Sequence, residues 1–235
     1  KYSFIIGAAL TVVYICANLG VQYTTLSNTS FLCGLTVIFT PILSGIIHKK
    51  APDKKLTLVI IMATLGIALL TLKDNFSINY GHLKGDLASV MCALAYAIDL
   101  NITENAVSLE DVEPLQLGVF QLGVTGIMSL LLALIFEKPH LPTQPNIWVS
   151  VLFLSILCTG VAFVVQAFAQ QYTTASHVGV IFSLETVFAG VVAFVFAKEV
   201  LTFKAYVGAI LMISSIFVME IDFEKLLEKR QEKKK

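Results

Sequence analysis

The sequence predicts an all-α membrane protein, and three observations carry that reading: composition, the length of its apolar runs and an internal repeat. Of the 235 residues, 57% are hydrophobic and 14% charged, with a mean hydropathy of +0.83. An ordinary soluble domain is about 45–50% apolar and about 25% charged. A bilayer core about 30 Å thick needs roughly 20 apolar residues in a helix. Runs of that size lie at about 3–21, 26–47, 56–73, 84–102, 114–136, 147–170, 175–197 and 203–221. Eight membrane-spanning helices follow. Short segments such as "KKAPDKK", "KDNFSINYGHLKGD", "EKPHLPTQPN" and "AKEVLTFK" join them and carry the helix breakers.

Charge and side-chain chemistry exclude several functions. The formal net charge is zero, so no nucleic-acid partner is expected. The tail "EKLLEKRQEKKK" mixes Lys with Glu and reads as a solvated end. Cys16, Cys33, Cys92 and Cys158 each sit inside an apolar run, where they act as small hydrophobes without metal or disulfide spacing. No cofactor or metal is expected. His48, His82, His140 and His177 fall in loops or at span ends, and neither H-E-x-x-H nor G-x-S-x-G occurs, so no enzyme is expected. The chain opens on Lys1 without a signal-peptide pattern and enters an apolar run at once, which reads as part of a longer protein.

The repeat organises the rest. Gln22-Tyr23-Thr24-Thr25 recurs 149 positions further on as Gln171-Tyr172-Thr173-Thr174. The same ungapped offset pairs Ser27 with Ser176, Leu35 with Leu184, Phe39 with Phe188, Lys49 with Lys198, Lys55 with Lys204 and Ile67 with Ile216. Coincident span edges make duplication the better account. Lys and Arg in short loops set orientation. With the loop of Lys49, Lys50, Lys54 and Lys55 in the cytoplasm, that side holds 11 of the 16 basic residues, and the C-terminus is cytoplasmic. Five crossings separate the copies, so the halves are inverted, a plan that recurs in secondary transporters around a midplane site. The spans at 84–102 and 114–136 lack mates before residue 1. The expectation is therefore a ten-helix inverted-repeat fold of which eight helices are seen. Residues 1–73 hold the last three helices of the first repeat, residues 84–221 the five of the second, and residues 222–235 a charged tail.

The "GDLASVMCALAYAI" segment and "YTTASHVGVIFSLETVFAGVVAFVFAKEVLTFKAYVGAILMI" resemble the EamA family of the drug/metabolite transporter superfamily. Ser183-Leu184-Glu185-Thr186-Val187-Phe188-Ala189, Lys198-Glu199 and Gly208 match most of a motif that commonly ends each half in that family. Thr186 stands where Pro is expected and Lys198 where Gly is; in the first copy Pro41 lies later and Thr36 replaces the acid. The resemblance implies ten helices with both termini cytoplasmic, in a bacterial cytoplasmic membrane, and export of amino acids or other small polar metabolites.

Within the spans, polar residues are the candidate site. An acid in mid-span is costly in lipid and should face protein or water. Glu185 and Asp99 qualify, as substrate- or proton-binding residues or as structural hydrogen-bonding groups. Ser89, Cys92, Tyr96, Asp99 and Thr103 recur at helical spacing and share one face. Thr11, Tyr14, Asn18 and Gln22 form a second stripe, Ser155, Thr159, Gln166 and Gln170 a third, and Gln121, Thr125 and Ser129 a fourth. The site residues expected are Glu185, Asp99, Tyr96, Asn18, Tyr14, Gln121, Gln166 and Gln170, around a small polar solute. Gly179, Ser183, Thr186, Gly190, Ala193 and Ala197 form a small-residue stripe suited to close helix packing. Pro41 is expected to bend its helix. The Gln-Tyr-Thr-Thr turns are expected to be structural, with Thr at helix starts.

Overall fold

The computed structural model describes residues 1–49, 53–71, 82–136, 141–185, 187–188, 191 and 203–220. Among these the regular elements are helical and no strand occurs. They are α1 (Tyr2–Tyr23), α2 (Leu26–Gly34), α3 (Thr36–His48), α4 (Lys54–Thr71), α5 (Leu83–Val107), α6 (Pro114–Phe136), α7 (Pro145–Phe153), α8 (Ala162–Ala169), α9 (Ala175–Phe182) and α10 (Phe203–Glu220). A π-helical stretch, Leu154–Val161, joins α7 to α8. Five helices are long and apolar enough to cross a membrane: Tyr2–Tyr23, Asn28–His48, Leu83–Val107, Pro114–Phe136 and Pro145–Ala169. The motif positions Thr186, Ala189, Gly190, Lys198 and Glu199, the stripe residues Ala193 and Ala197, and the 222–235 tail lie outside the described residues.

The two Gln-Tyr-Thr-Thr segments do the same local work. Thr25 caps α2, its side chain accepting from the Asn28 backbone N–H at 3.2 Å, and Thr174 caps α9 by accepting from His177 N–H at 3.4 Å. Each satisfies one of the donors a helix start leaves open. Both turns are also tied to α5. Thr24 Oγ1 donates to Asp86 Oδ1 at 2.7 Å, and Ala175 N–H donates to Glu104 Oε2 at 3.0 Å. Asp86 and Glu104 stand at opposite ends of α5, roughly 27 Å apart by helix rise. The two turns therefore lie at opposite ends of one membrane-length helix. Thr25→Ala and Thr174→Ala are each expected to cost about 1 kcal/mol, seen as a lower thermal midpoint in detergent. An unchanged midpoint in both would mean the caps carry no stability.

The helix that follows each turn is interrupted after about nine residues. Helix α2 stops at Gly34 and α3 begins at Thr36, while α9 stops at Phe182 and helical backbone resumes at Leu184 and Glu185. The expected bend at Pro41 is not where the helix breaks: α3 runs continuously through Pro41, and the interruption falls at Leu35. Small residues flank that turn and pack tightly. A Cβ at Gly34 would approach Ile67 Cδ1 to 3.1 Å, and one at Gly179 would meet Thr40 Oγ1 at 3.4 Å.

Helix α5 is buried along its length and packs against α1, α2, α3, α8 and α9. On the other side, α4 packs along α10. Val59, Ala63 and Ile67 meet Met212 and Met219 there, with Val37, Val180 and Val187 completing the cluster and Phe31, Ile38 and Ile216 against it. Four pairs related by the 149-residue offset (Phe31 and Val180, Ile38 and Val187, Ala63 and Met212, Ile67 and Ile216) thus share one core.

Candidate functional site

Helix α1 packs against both α5 and α6, and α8 lies against both α5 and α6. The polar stripes of these four helices turn toward one another. On α5, Ser89, Asp99 and Thr103 are fully enclosed, Cys92 nearly so, and Tyr96 is half-buried. From the neighbours come Thr11, Gln121, Thr125, Gln166 and Gln170, all buried, and half-buried Tyr14. Spacing of three and four residues dictates this, because it keeps each stripe on one face.

The bonds within the cluster are specific. Gln166 Nε2 donates to Gln170 Oε1 at 3.4 Å, and Gln170 Nε2 donates to the Leu100 carbonyl at 3.0 Å, fastening α8 to α5. Thr125 Oγ1 donates to the Gly7 carbonyl at 3.0 Å and fastens α6 to α1. Asn101, two residues beyond Asp99, donates through Nδ2 to the Thr40 carbonyl at 3.2 Å and holds α3.

Aromatic rings roof the cluster. Tyr14 and Tyr96 each lie 6.4 Å from Phe163 between ring centroids, and Tyr96 stacks on Phe182 at 6.0 Å. The two acids occupy different surroundings. Asp99 is 0% exposed, whereas Glu185, just past the α9 interruption, is exposed. Its repeat mate Thr36 is buried and donates to the Cys33 carbonyl at 2.8 Å and the Ala93 carbonyl at 3.3 Å. The first copy therefore seals against α5 at the level where the second presents an acid. Asn18, expected in the cluster, is exposed on α1.

Sequence spacing missed two participants. Phe163 and Phe182 are apolar and blend into their spans. Thr103 belongs to the α5 stripe, yet its hydroxyl stands out only once burial is known. A second feature lies at the end of α5 marked by Glu104: a cavity of about 440 Å³ lined by Ser44, His48, Asp53, Lys55, Glu104 and His177, among others. Among the described residues no three His, Cys, Asp or Glu are grouped to hold a metal ion.

Long apolar helices around a polar interior define a membrane protein that handles solutes within the bilayer. The chain matches the EamA-like transporter family over residues 1–72 and 83–221, and it belongs to that family. Among similar proteins are an uncharacterized transporter of Archaeoglobus fulgidus, 28% identical over 94% of this chain and 69% of that one, and the uncharacterized transporter YoaV of Bacillus subtilis, 24% identical over 88% and 70%. A solved crystal structure shares the fold with a TM-score of 0.81 at 17% identity, covering 97% of this chain and 77% of that one. Family and fold make this an integral membrane protein of a transporter family rather than one of enzymes.

Proposed function

We propose that the protein is a secondary transporter that exports a small polar metabolite carrying an amine, such as an amino acid, by alternating access around the α1–α5–α6–α8 interior. The observation that carries this reading is charge: Asp99 and Glu185 are acidic, and no Lys or Arg falls within the described middle of any span. A carrier of phosphates or dicarboxylates would be expected to set basic groups or helix N-termini at its site. Tyr14 and Tyr96 add ring faces that suit a cation. With this reading goes a cytoplasmic C-terminus in a bacterial cytoplasmic membrane, which the Lys and Arg distribution favours.

The test is uptake into liposomes holding the protein, with labelled amino acids, amines, nucleosides and sugar phosphates. Amines or amino acids are expected to accumulate and to compete with one another. Displacement by sugar phosphates ahead of amines would reverse the assignment of charge.

A further inference from the structure

The cavity at the Glu104 end of α5 is built around the first turn of α9. Helices α3, α4, α5, α9 and α10 all contribute to its wall. At about 440 Å³ it falls within the range of small-molecule sites, roughly 300–1,000 Å³. A helix start leaves backbone donors without partners inside the helix. In α9, Ala175 N–H donates to Glu104 Oε2 at 3.0 Å and His177 N–H to Thr174 Oγ1 at 3.4 Å. Between them, Ser176 N–H has no partner among the described residues.

The Ser176 side chain repeats the signal independently. The residue lines the cavity and is only 5% exposed, yet its hydroxyl also has no partner among the described residues. Its oxygen is not sealed in the packing, as that of Thr103 is, so it opens to the cavity. Buried hydroxyls are almost always hydrogen-bonded, and here only an occupant of the cavity can supply the bond. Two donors on one residue at a helix start suit an anionic oxygen, which the helix dipole also favours. Lys55 adds a positive charge to the same wall, its Nζ lying 2.6 Å from the Met219 carbonyl that it donates to.

A purely anionic solute is disfavoured, because Asp53 and Glu104 line the cavity as well and would repel it. A carboxylate with an ammonium beside it satisfies both signs. Glu104 grips Ala175 N–H, and the open N–H belongs to the next residue, so the acceptor for an ammonium and the donors for a carboxylate stand one peptide unit apart. An α-amino acid carries its two charged groups on one carbon, at a similar separation. We propose that this cavity is a further solute site that takes an α-amino acid as a zwitterion, with its carboxylate on Ser176 and Lys55 and its ammonium on Glu104. The role of the site rests on the transport reading: with a cytoplasmic C-terminus, the cavity lies on the side from which an exported solute arrives. Further along α9, Gly179 packs on Thr40 and Phe182 stacks on Tyr96, which separates the cavity from the enclosed cluster.

The test is equilibrium dialysis of the purified protein against the common amino acids, and against the amines left when their carboxyl groups are removed. Amino acids are expected to be retained more tightly than the matching amines. Ser176→Ala removes one hydrogen bond to a charged group and is expected to weaken amino-acid binding about tenfold while leaving amine binding unchanged. Glu104→Gln keeps an acceptor for Ala175 N–H and is expected to weaken both. If Glu104→Gln does not fold, the Ser176→Ala comparison decides. Failure to retain any amino acid, or a Ser176→Ala effect that is absent or shared equally by the amines, would overturn the site. Liposome uptake of amino acids that persists under those results leaves the transport reading standing and removes only this inference. Retention with the expected pattern but no uptake supports the site and counts against the transport reading.

Discussion

Glu185→Gln is expected to lower solute affinity about ten- to a hundredfold, while the protein remains folded. Glu185 is the exposed acid just past the α9 interruption, three residues after Phe182, whose ring stacks on Tyr96 at 6.0 Å. A hydrogen bond to a charged group contributes about 1.5–3 kcal/mol, and each 1.4 kcal/mol is about a tenfold change. Gln keeps the size and hydrogen-bonding capacity but cannot take up a proton. Its mate Thr36 is neutral and already engaged with two carbonyls, so the first copy offers no substitute acid. Uptake measured across a series of solute concentrations would decide the matter. If Glu185→Gln retains its affinity while Asp99→Asn loses it, Glu185 is structural and the working acid is on α5.

The largest stability effect is expected at Gly66, where the same substitution should act with opposite sign at two helical glycines. A Cβ at Gly66 would lie 2.3 Å from Met212 Cγ, 2.9 Å from the Gly208 carbonyl oxygen and 3.1 Å from the Met212 backbone nitrogen. Two of those three atoms are backbone and cannot swing aside. Overpacking of this kind costs typically about 1–3 kcal/mol. Gly123 on α6 meets nothing within 4 Å, so there Ala should bring only its helix propensity, about 1 kcal/mol in favour. Gly66→Ala should therefore lower the thermal midpoint and Gly123→Ala leave it unchanged or raise it. A rise at Gly66 would show that α4 and α10 pack more loosely than the structure indicates.

Much of the fold was legible because its signals are long or repeated. Apolar runs mark the spans without reference to tertiary contacts, and a fixed offset marks two equivalent turns even though neither Thr is unusual alone. The enclosed site was legible where polar residues recur every third or fourth position in an apolar background, as Asp99, Gln121, Gln166 and Gln170 do. Other features depend on neighbours that spacing does not reveal. Asn18 shares a helical stripe with Thr11 and Tyr14 yet is exposed, while Gly20, two positions further on, is buried against α5 and α2. Glu185 and Asp99 look alike in hydropathy, yet Asp99 is enclosed and Glu185 open. The span interruption carries no strong breaker: Leu35 and Ser183 are ordinary residues, and Pro41 drew attention to a turn that stayed helical.

The pairing of α4 with α10 sets an order of assembly. At about 5–20 residues per second, roughly seven seconds or more pass between the emergence of Thr71 and that of Gly208. Through that interval the face of α4 bearing Val59, Ala63 and Ile67 has no α10 to receive it. The insertion machinery or surrounding lipid must hold that helix until the last span arrives, so the first half is completed only when the second is finished. A ribosome stalled before residue 203 would leave this helix without its principal partner and expose the nascent protein to quality control, however well its other spans had already packed.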